Sequence, residues 1–442
     1  MKKTKNNKSI LKNNLINRLI SLSLATIMPL SASGCSEKKN NSGEDLYDNA
    51  VYYDLDEYYL KKFKEYYEYQ LPELNSIIDE IKNIKYVSKY DDFENYNIYE
   101  KPSIELNEIL NNNSFFKDED YPINYDWYKN ETIDEELLYK KIYDNNLKAG
   151  IKNSEEVLEI LNILPYVINS NINLVRKRYK DFKFNIPFYN LNNLIVDTTK
   201  QEDFAAFYIS DDNKILVNYD YVKNYGSLKN TLSHECFHLI LNKCVNCSSY
   251  YHNGCSMDAS YTDESPLIHT FLTELVTDDF SYEAFDETPN DLYDEEREKL
   301  KLICVATNKD IDYFKNAILS SDSKDILNAF EPEFRNINYV YSIFNAIDKF
   351  CCYGYFDVNW NYDLFRANSF NYARIGLLKN YYVKIIKLLK TGNISKEEAD
   401  IKIAEIKELF NETTFGFEVN DNYLECINKL DLVYEKSFSK IK

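Results

Sequence analysis

The chain has 4 His in 442 residues, and two of them stand four apart with a glutamate directly after the first: His234-Glu235-Cys236-Phe237-His238. On a helix, residues at that spacing project from one face, so two imidazoles can meet a single metal ion. Glu235 then lies beside the open coordination position, where a general base for a bound water belongs. These residue types at this spacing predict one catalytic Zn2+ held by His234 and His238, with Glu235 as the base of a hydrolytic reaction.

A catalytic zinc site takes three protein ligands and keeps one position for water, so a third ligand must come from elsewhere. One class of zinc peptidases supplies it as H-E-x-x-H-x-x-G-x-x-H. Here Leu241 and Cys244 occupy the Gly and final His positions, which excludes that class. Downstream, Phe271 to Asp278 reads FLTELVTD, a carboxylate on an apolar helical pattern.

With that segment the chain resembles the gluzincin class of zinc metallopeptidases, the thermolysin-like enzymes, which follow H-E-x-x-H with Asn-Glu-x-x-Ser-Asp on a second helix. The resemblance covers about residues 190–285. It implies His234, His238 and Glu274 as zinc ligands, Glu235 as catalytic base, and hydrolysis of peptide bonds in a peptide or protein substrate. It also implies Asp278 as the carboxylate that orients a ligand imidazole. Helical spacing agrees with that role, because Asp278 lies one turn beyond Glu274, and ligand histidines usually donate their other N–H to a carboxylate. Thr273 and Thr277 stand where the family has Asn and Ser, and the gap from His238 to Glu274 is longer than is usual there. Asp279 and Glu264 are the next acids to consider. By the same resemblance, Ile215, Leu216, Val217 and Asn218 form the edge strand along which a substrate backbone pairs; periodicity alone reads them only as a strand. Such sites often complete oxyanion stabilisation with a His or Tyr. His252 is one candidate, with a loop histidine of no special role as the alternative, and 40 Tyr offer no way to choose among themselves.

The elements that must position these residues read as mostly α-helical α+β, with a small strand or hairpin sheet beside the active-site helix. Residues 49–185 read as a helical N-terminal region: apolar residues recur at threes and fours over about 51–84, interrupted at Pro72, and over 155–184, with a kink or break expected at Pro165 and a loop-rich stretch between. Near Asn185 the period changes. Residues 193–197 and 204–209 read as strands, and a turn at Ser210–Asn213 joins the second to residues 214–218 as a hairpin. The catalytic core is expected over 186–285. A helical C-terminal domain follows over 286–442, with segments Glu295–Thr307, Asp310–Leu319, Tyr339–Cys351 and Tyr372–Leu389. Ser395 and Glu398 form a capping box for a last clear helix to Phe410. A helix opened by Ser265 and Pro266 is expected to carry Glu274.

The first 35 residues have the pattern of a lipoprotein signal peptide: a basic stretch to Arg18, an apolar run from Leu19 to Leu30, then small residues before Cys35. The apolar run is too short for a comfortable membrane span. Cleavage before Cys35, lipidation of that cysteine and an extracytoplasmic protein tethered to the membrane are expected, with residues 36–48 as a flexible tether. No later run approaches the apolar length of a transmembrane helix. The chain has 52 Lys and Arg against 72 Asp and Glu, a net charge of −20. Six of those cations and none of the acids lie in the first 35 residues, so the remainder is more acidic still and repels nucleic acid.

Eight further cysteines remain. Cys236 is expected to be packed rather than bonded. Cys244, Cys247, His252 and Cys255 have spacing close to a zinc knuckle, although a disulfide from Cys255 to Cys244 or Cys247 fits an extracytoplasmic protein better. Cys351-Cys352 carries no reading. His269, five residues before Glu274, is expected to be structural. Two rival functions stay open at this level. One is a non-catalytic surface lipoprotein with a structural metal that binds a partner or polymer; the other is hydrolysis of a non-peptide amide such as a cell-wall linkage.

Overall fold

The computed structural model describes residues 73–87, 121, 123–200, 204–210, 212–242, 251–253, 256–258, 270–289, 293–320, 323–351, 362–412 and 420–439. The signal segment, Cys35, the tether, Cys244, Cys247, Cys255, Glu264, Ser265, Pro266, His269 and Cys352 lie outside the described residues. No helix among the described residues is long and apolar enough to cross a membrane. The fold is α+β and mostly helical.

Two compact units group the described residues differently from the linear division expected from sequence. One takes its residues from 1–91, 302–308 and 374–442, and the other from 92–301 and 309–373. In the first, the helix over residues 73–82, α1, is closed at its C-terminal end by Lys379, whose ammonium donates to the carbonyls of Lys82 (2.7 Å) and Ile84 (2.9 Å). A cation on the last carbonyls of a helix satisfies orphan acceptors and the helix dipole together. Burial pulls the Lys379 ammonium down to about 8. The expected capping box is present: the Glu398 amide donates to Ser395 Oγ, and the Ser395 amide to Glu398 Oε2.

The second unit holds His234, His238 and Glu274. It contains β1 (Tyr128–Lys129), β2 (Thr132–Ile133), α2 (Glu135–Lys148), α3 (Glu155–Arg178) and α4 (Asn185–Asn192). Then come β3 (Ile195–Thr198), β4 (Ala206–Ile209), β5 (Lys214–Val217), α5 (Tyr219–Tyr225) and α6 (Leu228–Leu241). Next are β6 (Tyr251–Asn253), β7 (Ser256–Asp258), α7 (Thr270–Glu283), α8 (Asp294–Thr307) and α9 (Ile311–Ser320). The last turns of α8 belong to the first unit.

Helix α3 starts on an Ser154 cap that accepts from the Val157 amide, and carries three basic residues in its last turn. It runs through Pro165 without a break. Of the expected kink or break, the break is absent: Leu161, Leu164, Pro165 and Ile168 are all buried, and this packing offsets the one hydrogen bond that proline removes. A further helix, Tyr362–Lys390, begins ten residues earlier than the periodicity places it.

The predicted hairpin is present, with Ala206 opposite Val217 and Ile209 opposite Lys214. Asn213 makes its turn at φ 48°, a left-handed conformation that asparagine tolerates. β3 joins β5 in parallel, so the sheet order is β3-β5-β4.

Helix α6 is the centre of this unit. Ten of its residues are buried, among them Leu232, Cys236, Phe237, Leu239, Ile240 and Leu241. It packs against α3, α4, α7 and β4. Apolar side chains of that size each contribute about 1.5–3 kcal/mol on burial. That sum makes it affordable to keep His234, Glu235 and His238 out of bulk water on the same helix.

Candidate metal centre

Helix α6 begins at Ser227, whose hydroxyl accepts from the Asn230 amide, and contains no Gly or Pro to bend it. His234 and His238 therefore keep their one-turn spacing. Their Nε2 atoms lie 3.1 Å apart. Glu274 arrives from α7, which packs along α6. Its Oε2 is 3.2 Å from His234 Nε2 and its Oε1 is 3.4 Å from His238 Nε2. One ligand atom from each residue can be chosen so that all lie within 4.8 Å of one another.

Those separations test whether the residues fit a zinc ion. Nitrogen and oxygen ligands about 2.0–2.1 Å from a tetrahedral zinc lie roughly 3.3–3.4 Å from one another, close to the three distances found. A hydrogen-bonded cluster explains them less well. His234 Nε2 carries at most one proton, yet it faces both Glu274 and His238. The donor set, two imidazoles and a carboxylate, is that of catalytic rather than purely structural zinc sites. The residues fit the ion.

Burial raises the Glu274 carboxyl, but the charge of His238, hydrogen bonds from both imidazoles and the charge of His234 hold it well below the usual carboxylate range. Burial, and then the nearby charge of Glu235, push the Cys236 thiol well up. Cys236 is a free, buried thiol as expected, and a protonated thiol is neither ligand nor nucleophile.

Glu235 is 7% exposed and is held from the sheet. The backbone amide of Tyr208 on β4 donates to its Oε2 at 2.7 Å. Tyr208 is itself fixed: its hydroxyl donates to Asn213 Oδ1 at 3.0 Å and accepts from Asn242 Nδ2 at 3.1 Å. Asn213 in turn donates to the carbonyl of Asn190 at 2.6 Å. Helix end, hairpin turn and α4 thus converge on the strand that holds Glu235.

This geometry corrects the expected edge strand. Ile215, Leu216 and Val217 lie on β5, the middle strand, with β3 on one side and β4 on the other. Asn218 is no strand residue either, since its side chain caps α5 by accepting from the Tyr221 amide. The strand without a second strand partner on the side of the centre, among the described residues, is β4. The edge position is implied by the resemblance alone, since a backbone period of two does not distinguish a middle strand from an edge one.

Asp278 lies close enough for the His234 charge to act on it. Its hydrogen bond, however, comes from Arg297 Nη2 at 2.7 Å, not from His234. Burial raises its carboxyl, and His234 and Arg297 oppose the rise. Asp279, the reserve ligand, faces away: Arg297 and Lys315 take its two oxygens. His252 sits on β6 opposite Met257, and β6 packs near α6; the His252 side chain lies outside the described atoms.

Comparison with family models, curated proteins and solved structures gives no match to this chain.

Two residues that sequence reasoning missed also shape the centre. Tyr293, in the turn that opens α8, lies over His234 with ring centroids 6.2 Å apart and planes within 10°. Burial first, then the charges of Glu274, Asp278, Glu235 and Glu296, push its phenol up, so it stays protonated and able to donate. Its hydroxyl makes no hydrogen bond among the described residues. Asn171, on α3 and fully buried, grips the helix one residue before His234. Its Nδ2 donates to the Ser233 carbonyl at 2.9 Å, and its Oδ1 accepts from the Ser233 hydroxyl at 2.8 Å. Asn171→Leu is expected to lower stability by about 1–3 kcal/mol, the cost of stranding buried polar atoms, read from the urea midpoint. An unchanged midpoint would show that Ser233 finds other partners.

Proposed function

We propose that the chain is an extracytoplasmic zinc metallopeptidase, tethered to the membrane through lipid on Cys35, that hydrolyses peptide bonds. The observation that carries the reading is the convergence of His234, His238 and Glu274 at ligand-to-ligand distances, with the Glu235 carboxylate fixed beside them by the Tyr208 amide. The gluzincin-like motif pair supports the reaction class.

His234, His238 and Glu274 would hold the ion. When bound, zinc supplies Lewis acidity, lowering the pKa of water toward neutrality and polarising a carbonyl. Glu235 takes a proton from the attacking water as its oxygen bonds to the scissile carbonyl carbon. It then passes that proton to the amide nitrogen as the C–N bond breaks, leaving a carboxylic acid and an amine. Tyr208 N–H keeps the base aimed between these steps. Tyr293 donates its hydroxyl to the carbonyl oxygen as negative charge develops there. An extended substrate backbone would pair with the groups of β4 that Glu235 leaves free.

A mixed peptide library incubated with the zinc-loaded protein, with products read by mass spectrometry, tests the reading. Cleavage that stops with a chelator and returns with zinc is expected. Zinc bound without any cleavage would favour the non-catalytic lipoprotein with a structural metal instead. Once a substrate is in hand, Tyr293→Phe is expected to lower kcat by about 10²–10³-fold, as for loss of one oxyanion donor, with KM within a few-fold. Equal kcat values for the two proteins would remove Tyr293 from the reaction.

A further inference from the structure

Two side chains of one helical end meet the centre from the same direction. Tyr293 opens α8 and Arg297 lies four residues on, so both project from one face. Tyr293 stacks over His234. Arg297 reaches the ligand-bearing helix α7 one turn beyond Glu274. Its Nη2 donates to Asp278 Oδ2 at 2.7 Å and to Asp279 Oδ1 at 3.0 Å, and its Nε to Asp279 Oδ1 at 3.1 Å. The side chains of Arg297, Asp278 and Asp279 are 18%, 7% and 12% exposed. Ion pairs this far from water differ from surface pairs, because removing one partner leaves uncompensated buried charge. Carboxylates crowd this place, with Glu235, Glu274, Asp278 and Glu296 all acting on the Tyr293 phenol.

We infer that Arg297 is a positioning residue for the centre, an inference that rests on the zinc-peptidase reading. By clamping Asp278 and Asp279 it docks the first turn of α8 on α7. That docking sets Tyr293 against His234 and holds the Asp278 carboxylate one turn beyond Glu274. Arg297 touches neither substrate nor ion; it acts through Tyr293 and Asp278. Lys315 provides the contrast. It bonds Asp279 Oδ2 at 2.9 Å and approaches Glu283 at 3.9 Å, so it belongs to the same ion network without a contact to Asp278 or Tyr293.

The test compares Arg297→Gln, Arg297→Lys and Lys315→Met, each on the full mature chain and also with Tyr293→Phe. Zinc affinity is measured by competition with a chromophoric chelator, kcat and KM on a cleaved peptide, and Tm by calorimetry. R297Q is expected to weaken zinc about 10–100-fold, as for loss of an outer partner of a ligand, and to lower kcat more than it raises KM. Tyr293→Phe should then cost much less than it does alone, the non-additivity of residues acting as a unit. R297K should recover part of both losses, and should carry the measurement if R297Q does not fold. K315M should lower Tm while zinc affinity stays within two-fold. The inference is overturned if a folded R297Q or R297K binds zinc and turns over like wild type. It is equally overturned if K315M weakens zinc as much as R297Q does, since the network would then be merely structural. A wild-type chain that binds no zinc defeats the peptidase reading and this inference together, whereas normal wild-type behaviour with unaffected Arg297 variants defeats this inference alone.

Discussion

Glu235→Gln is expected to bind zinc as tightly as the wild type within a few-fold and to lose about 10²–10⁴-fold in kcat, the usual contribution of a positioned general base. The substitution is close to isosteric, and a glutamine side-chain oxygen can still accept from the Tyr208 amide, which now bonds Glu235 Oε2 at 2.7 Å. Fold and site geometry should therefore survive. What disappears is the capacity to take a proton from water and return it to the leaving amine. Steady-state kinetics on any cleaved peptide, alongside zinc content by atomic absorption, checks both halves. Full activity in a zinc-loaded Gln variant would refute the assignment of Glu235 as base.

Removal of the third ligand should have the larger effect on the metal. Glu274→Ala deletes the carboxylate whose oxygens face both imidazoles at 3.2 and 3.4 Å. Loss of zinc affinity beyond the roughly 10–100-fold typical of an outer-shell partner is expected, together with loss of turnover at ordinary zinc levels. Stability supplies an independent readout. A ligand at 1,000 times its Kd stabilises the fold by about 4 kcal/mol, so zinc should raise the wild-type Tm by several degrees and leave that of Glu274→Ala nearly unmoved. Equal zinc-dependent shifts in the two proteins would mean that another acid serves. Asp279 is a poor substitute, because its two carboxylate oxygens are bonded by Arg297 and Lys315.

The parts of the centre legible in the sequence are those set by local periodicity. His234 and His238 share a helix face because they are four apart on a helix that carries no breaker. Glu274 and Asp278 share a second face for the same reason. The hairpin turn at Asn213 and the Ser395–Glu398 capping box are likewise short-range features, and both are present. Features set by tertiary packing left no such trace. Strand β5 became the middle of the sheet through parallel pairing with β3, a contact that no alternation pattern reveals. Pro165 stays inside α3 because its face is buried against neighbours, not because of any local signal. Tyr293 is one of 40 Tyr and is singled out only by its place over His234. Asn171 lies 62 residues before the Ser233 it grips, and Arg297 is 19 residues from Asp278. Neither distance has a periodicity to betray it. The grouping of α1 with the C-terminal helices rests on pairs such as Lys379 with Lys82, 297 residues apart.

The most direct measurement is anomalous diffraction at the zinc absorption edge from crystals of the zinc-loaded protein. A single strong peak about 2.0–2.2 Å from His234 Nε2, His238 Nε2 and a Glu274 oxygen, with Glu235 beside its open side, is the predicted result. A peak bound elsewhere, or none within reach of both imidazoles, would contradict the account.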